Sequence, residues 1–169
     1  MSNFSFMDEK WPMLAKLGTQ GESYLHRDSN ATMLKMRMIG EKIIDYILVM
    51  YKVEAGKFAT QDDKIKLLRT TGINKAIPDL FDIVGRFGNK ANHDGYENKK
   101  DALECLVSIY KISAWFYIRI IKDTSIKPLT YKIPKPKTAG NKSYSVQTYI
   151  EEKEKIKEEH IKQVKHVRG

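Results

Sequence analysis

A single cysteine, Cys105, stands in 169 residues. It leaves no partner for an internal disulfide and no CxxC pair for zinc. The expected reading is a reducing compartment, with Cys105 as a small buried hydrophobe in preference to a reactive thiol. Histidine is equally sparse: His26, His93, His160 and His166 are scattered, two of them in the charged C-terminal run. There is no HExxH, no histidine pair at metal-ligand spacing, no GxxxxGK[ST] or GxGxxG phosphate loop and no GxSxG elbow,. Metal, nucleotide and common hydrolase chemistry therefore have no sequence basis, and neither metal nor cofactor is expected. Long apolar runs are missing too. The best candidate, residues 102–121, is broken by Glu104, Lys111 and Arg119, so nothing reaches the roughly 20 residues that span a bilayer. Residues 1–10 lack the basic and apolar regions of a secretory signal,. No membrane role and a cytoplasmic location are expected.

Proline and glycine are few, five and ten, which leaves room for long helices. The apolar fraction is 41% and the charged fraction 30%, the balance of a folded domain of ordinary size. Charge is uneven. The whole chain carries +9, and residues 125–169 hold 11 Lys/Arg against 5 Asp/Glu, or +6 of it. A basic tail on a nearly neutral body favours an anionic partner, DNA or RNA or an acidic protein face, although many helical proteins are mildly basic without one.

Apolar periodicity predicts an all-α bundle of about five helices over residues 1–124. Pro12 opens the first. Ser29 is the expected N-cap of a second, running over about 30–52. Arg37, Glu41 and Asp45 step along it at i, i+4 and i+8 as one charged ridge, read as a structural ion-pair ladder,. Thr60 and Asp63 form a capping box for a short third helix ended by Gly72. A fourth starts at Pro78 and stops at Asp94-Gly95. Asn98 and Asp101 cap the fifth, over about 99–122, which is apolar on most sides and so is expected at the centre. Pro128, Pro134 and Pro136 among lysines make 125–144 an extended basic strap or linker,. Residues 145–169 form a charged helical tail with a thin apolar stripe of Val146, Tyr149, Ile150, Ile156, Ile161 and Val164. That stripe calls for a covering surface, or else leaves a solvated, partly frayed helix.

The run Arg86-Phe87-Gly88-Asn89-Lys90-Ala91-Asn92-His93 stands out on the fourth helix. Seven residues bring Arg86 and His93 to within about 20° of the same face, about 10 Å apart along the axis. Arg supplies a planar phosphate binder and His a group that trades protons near neutrality. Together they can serve phosphodiester cleavage without metal. The alternative is structural: Arg86 paired with a carboxylate such as Glu41 or Asp45, and His93 closing a helix end. Gly88 in mid-helix costs about 1 kcal/mol relative to Ala, which close approach by a neighbouring helix or by a ligand would justify.

Residues 32–41 (TMLKMRMIGE), 85–93 (GRFGNKANH) and 114–117 (AWFY), with Asn3-Phe4-Ser5-Phe6 before them and Tyr131-Lys132-Ile133-Pro134 after, resemble the N-terminal helical domain of type I restriction endonuclease R subunits. Related domains precede some DEAD/DEAH-box helicases. The domain is in turn similar to the HEPN superfamily, helical bundles marked by an Arg, four to six residues and a His. The resemblance implies an HEPN-like bundle. In active HEPN ribonucleases the two marked residues, here Arg86 and His93 with Asn89 beside them, cut RNA, usually across a homodimer. Active members commonly place a polar residue directly after the Arg, where this chain has Phe87. In R subunits, DNA cleavage and translocation reside in separate nuclease and helicase domains. Two readings follow. One is a non-catalytic module for assembly or nucleic-acid contact in defence against foreign DNA. The other is a metal-independent ribonuclease. Lys90, Lys132, Lys135 and Lys137 are the candidate nucleic-acid contacts. The implied partners are other domains or subunits of a restriction or helicase complex, DNA or RNA, and a second copy of the chain.

Overall fold

The structure is a computed structural model that describes residues 1–123, 125–126, 130–136 and 146–168, without the side chains of 146–149 and 165–168. It is all-helical, with no strand among the described residues. After a short 3-10 turn (Ser5–Met7) come α1 (Pro12–Tyr24), α2 (Ser29–Met50), α3 (Gln61–Arg69), α4 (Ala76–Asp94), α5 (Lys99–Arg119) and α6 (Val146–Arg168). Local chemistry sets most of the ends. Thr60 and Asp63 exchange side-chain and backbone hydrogen bonds in a complete capping box,. Asn98 accepts from the Asp101 amide at 2.9 Å. Gly95, at φ 61°, closes α4 in the left-handed conformation that glycine adopts without a Cβ penalty,. The cap of α2 differs from expectation: Asp28 accepts from the Ala31 amide, and Ser29 is already helical.

The centre of the bundle is α2, not α5. It packs against α1, α3, α4, α5 and α6, and Met33, Met36, Ile39, Ile43, Ile44 and Ile47 along it are fully buried. On α5, Leu103, Val107, Ala114, Trp115 and Ile118 remain half-exposed. Apolar count misled here because the long stems of Lys35 and Lys42 bury like hydrophobes and widen the buried surface of α2,. Cys105 is buried, and burial pushes its thiol well above the usual range, so it is a packing residue,.

The N-terminus is stitched to the segment around Tyr131. Phe4 is buried over Gly18, with its ring edge-on to Tyr110 and Tyr131. Glu22 of α1 accepts from Ser2 Oγ, from the Asn3 amide and side chain, and from Tyr131 Oη. The Asn3 side-chain amide also pairs with the Lys132 backbone in both directions, at 2.8 and 2.9 Å. His26 Nε2 donates to the Pro134 carbonyl at 2.6 Å. Residues 130–136 are thereby laid along α1.

Candidate functional site

The buried face of α4 is Ile77, Phe81, Val84, Gly88 and Ala91. At 100° per residue, Arg86 and His93 lie about 160° and 140° round the helix from Gly88. Both are exposed, as are Asn89 and Lys90. The pair therefore shares one solvent face, pointing away from α2. This overturns the expected pairing of Arg86 with Glu41 or Asp45. Those carboxylates lie on α2 and have other partners: Glu41 takes Arg37 Nε at 2.9 Å, and Asp45 takes Lys64 of α3 at 2.6 Å and faces His160 at 3.4 Å. The ridge of three is thus one Arg37–Glu41 pair with Asp45 turned to other helices. Arg86 instead lies over the Phe87 ring, 5.1 Å from its centroid, and Lys90 over Tyr96 at 4.8 Å,.

Gly88 serves close approach by a neighbouring helix. A Cβ there would stand 2.9 Å from Arg37 Cβ, so the Arg37 stem runs across the space a side chain would need. Arg37 Nη1 is enclosed without a hydrogen-bond partner among the described residues. At the corner of the bundle, Asn30 holds the end of α4 by donating to the Ala91 and Tyr96 carbonyls, each at 2.9 Å. This fixes the frame on which Lys90 and His93 sit. Lys132 and Lys135 are exposed on the segment laid along α1. The same α1–α2 corner binds that segment through His26 and α4 through Asn30. Lys137 lies outside the described residues.

Sequence reading missed the two lysines with the most unusual surroundings. Lys35 is 0% exposed and Lys42 2%. Lys35 Nζ meets the Glu152 carboxylate of α6 and Gln20 Oε1 of α1. Lys42 Nζ lies 3.9 Å from Glu159 Oε1 and donates to the Ile156 carbonyl at 3.2 Å. Two lysines seven apart on α2 match two glutamates seven apart on α6, a match that stands out only once the fold brings the two helices together. Burial, and then the neighbouring Lys16 ammonium, bring Lys35 down to about 7. Burial brings Lys42 down to about 8 against the upward pull of Glu159,. The sign of the linkage follows. Between about pH 7 and 10 the unfolded chain keeps protons that these folded amines have released, so stability rises with pH. Above about pH 10 it falls, because buried Tyr117 and Tyr131 have raised pKa values and keep protons that the unfolded chain loses,. Urea melts should show a gain of roughly 3–5 kcal/mol from pH 7 to 9.5. The Lys35→Met/Lys42→Met variant should lose most of that slope; an unchanged slope would place its origin elsewhere.

No helix among the described residues is long and apolar enough to cross a membrane, and no group of three metal-ligating side chains occurs among them. No protein-family model and no solved structure matches the chain. One curated relative resembles it: the type I restriction enzyme EcoKI endonuclease subunit of Escherichia coli (strain K12), 25% identical over 144 residues. The match covers 79% of this chain and 11% of that protein. What can be said of kinship is that this all-helical chain is similar to a small part of a type I restriction enzyme subunit.

Proposed function

We propose that the chain is a non-catalytic N-terminal module of a type I restriction R subunit or related helicase, serving assembly or nucleic-acid contact in defence against foreign DNA. The observation that carries this reading is the resemblance over 144 residues to a restriction endonuclease subunit, of which this chain spans 11%. The helical architecture and the exposed cations Lys90, Lys132 and Lys135 support it. DNA contact through three such lysines would release about three counterions. The affinity should then fall roughly 40-fold between 50 and 200 mM salt. The variant Lys90→Glu/Lys132→Glu/Lys135→Glu should lose both the binding and its salt slope in fluorescence anisotropy. Binding unaffected by that triple change would remove these lysines from the interface.

The second reading is an HEPN-like, metal-independent ribonuclease, and the solvent-facing alignment of Arg86 and His93 favours it. Arg86 would hold the scissile phosphate and His93 would act as acid or base, with the RNA 2′-hydroxyl as nucleophile. Phe87 occupies the position where active relatives usually keep a polar group, so we expect labelled RNA to remain intact in EDTA. Cleavage that is lost in His93→Ala would establish the ribonuclease instead. Arg86→Ala and His93→Ala should each change stability by less than about 0.5 kcal/mol, since both side chains are exposed,. The activity assay is therefore free of a folding defect.

A further inference from the structure

α6 is seated on α2 in an unusual way. Lys35 meets Glu152, Lys42 meets Glu159 and Asp45 meets His160, so the two helices run parallel and in register over two turns. Between the two carboxylates Ile156 is the buried apolar contact, at 8% exposure, while Ile150 and Ile161 on another face remain 48% and 47% exposed. Val146 and Tyr149 of the expected stripe have side chains outside the described residues. The seam is imperfect. A hollow of about 240 Å³ remains between Met38, Lys42, Lys153, Ile156 and His160. Glu159 Oε2 and Gln163 Oε1 are enclosed with no hydrogen-bond partner among the described residues. A buried ion pair roughly breaks even against the solvation it gives up, and one isoleucine adds little to offset the ordering of a charged helix. Departure of α6 would return both ammonium groups of α2 to water without stranding them. The lysines select what sits there.

We propose that this face of α2 is a receptor groove for an amphipathic helix, presented parallel to α2 with two carboxylates seven residues apart and an aliphatic side chain between them. α6 is its resident and exchangeable occupant. The chemistry of the incoming helix is set by the groove: carboxylates for Lys35 and Lys42, and a branched aliphatic group for the space beside Met38. This inference stands on the α2–α6 geometry and is independent of the restriction-system reading.

The test uses the full chain with its own helix charge-reversed, Glu152→Lys/Glu159→Lys, and a fluorescein-labelled peptide of residues 146–168 as the incoming helix. At pH 7 the α6 amides of the variant should exchange with deuterium at least tenfold faster than in the parent. The peptide should bind the variant at least tenfold more tightly than it binds the parent, whose groove is filled. Adding Lys35→Glu/Lys42→Glu to the charge-reversed chain should abolish peptide binding and restore slow exchange in α6. If that quadruple variant does not fold, Lys35→Met/Lys42→Met with the same α6 changes should still eliminate peptide binding. Two results would overturn the proposal. One is α6 amides as protected in the charge-reversed chain as in the parent. The other is a released α6 with no preference for the peptide over a scrambled version of it.

Discussion

Gly18→Val should cost about 3–5 kcal/mol, the range for removing a buried phenylalanine from a core. At roughly 2–4 °C per kcal/mol for a domain of this size, the melting temperature should fall by about 6–20 °C. Propensity alone predicts the opposite, since glycine inside a helix is worse than alanine by about 1 kcal/mol. Contact decides the sign. The space beside Gly18 on α1 is filled by Phe4, whose Cβ would lie 2.6 Å from an added Cβ and whose ring atoms would lie closer still. Phe4 has nowhere to retreat, because it is fully buried and edged by Tyr110 and Tyr131. Valine must therefore expel the ring, and with it the N-terminal turn. Gly18→Ala brings in the same clashing Cβ and should lose about 2–3 kcal/mol, less than valine only by the two missing methyl groups,. Gly56→Ala makes the contrast: nothing lies within 4 Å of the added atom, and the change should stay within about 0.5 kcal/mol. Combining Gly18→Val with Phe4→Ala should cost clearly less than the two separate losses added, as expected of residues in contact. A Gly18→Val protein melting within about 2 °C of the parent would sink this account.

The elements with local causes were legible in the sequence. The capping box at Thr60, the cap at Asn98 and the stop at Gly95 are decided within a few residues, and each was readable from spacing and side-chain chemistry. The second cap was misplaced by one residue because Asp28 and Ser29 are both good caps and only the backbone entry angle distinguishes them. What could not be read was which face of a helix meets which neighbour. On α4 the apolar residues span more than one face: Phe81, Val84 and Ala91 are buried while Leu80, Ile83 and Phe87 are only half so. Periodicity averages the two sets; only the Arg37 stem packed across Gly88 shows which side meets α2, leaving Arg86 on the opposite, exposed side. Similarly, lysines are assigned to water by default. Lys35 and Lys42 depart from the default only because a helix more than a hundred residues later brings carboxylates to them. Pairing at that separation is visible in a sequence only once the fold has named the partners. The exposed Arg86 and His93 keep the nuclease reading open to direct assay, and the exposed lysines do the same for nucleic-acid contact.

Glu22→Leu should lower stability by about 3 kcal/mol, or roughly 6–12 °C in melting temperature. The buried carboxylate accepts hydrogen bonds from two separated parts of the chain, the N-terminal residues and the segment around Tyr131. Ser2 Oγ at 2.6 Å and the Asn3 amide at 3.2 Å donate to Oε1, and Tyr131 Oη at 2.8 Å and the Asn3 side chain donate to Oε2. Hydrogen bonds to a charged group contribute more than neutral ones, about 1.5–3 kcal/mol each net of competition with water. Leucine has comparable bulk but accepts nothing, so these donors are left without their acceptor against an apolar wall. Asn3 keeps its two bonds to the Lys132 backbone, which limits the loss. Tyr131→Phe removes a single donor and should cost about 1 kcal/mol. Because Tyr131 also packs on Phe4 and Tyr110 through its ring, which phenylalanine retains, this change isolates the hydroxyl. In the double variant Glu22→Leu/Tyr131→Phe the second change should be almost free, giving a coupling of about 1 kcal/mol. Hydrogen exchange should show where the loss falls: amides of residues 2–7 and 130–136 should exchange faster in Glu22→Leu, while those in the middle of α2 follow only the global drop. Faster exchange confined to residues 2–7, with 130–136 unchanged, would mean that Glu22 does not hold the two segments together. Full additivity of the two substitutions would say the same.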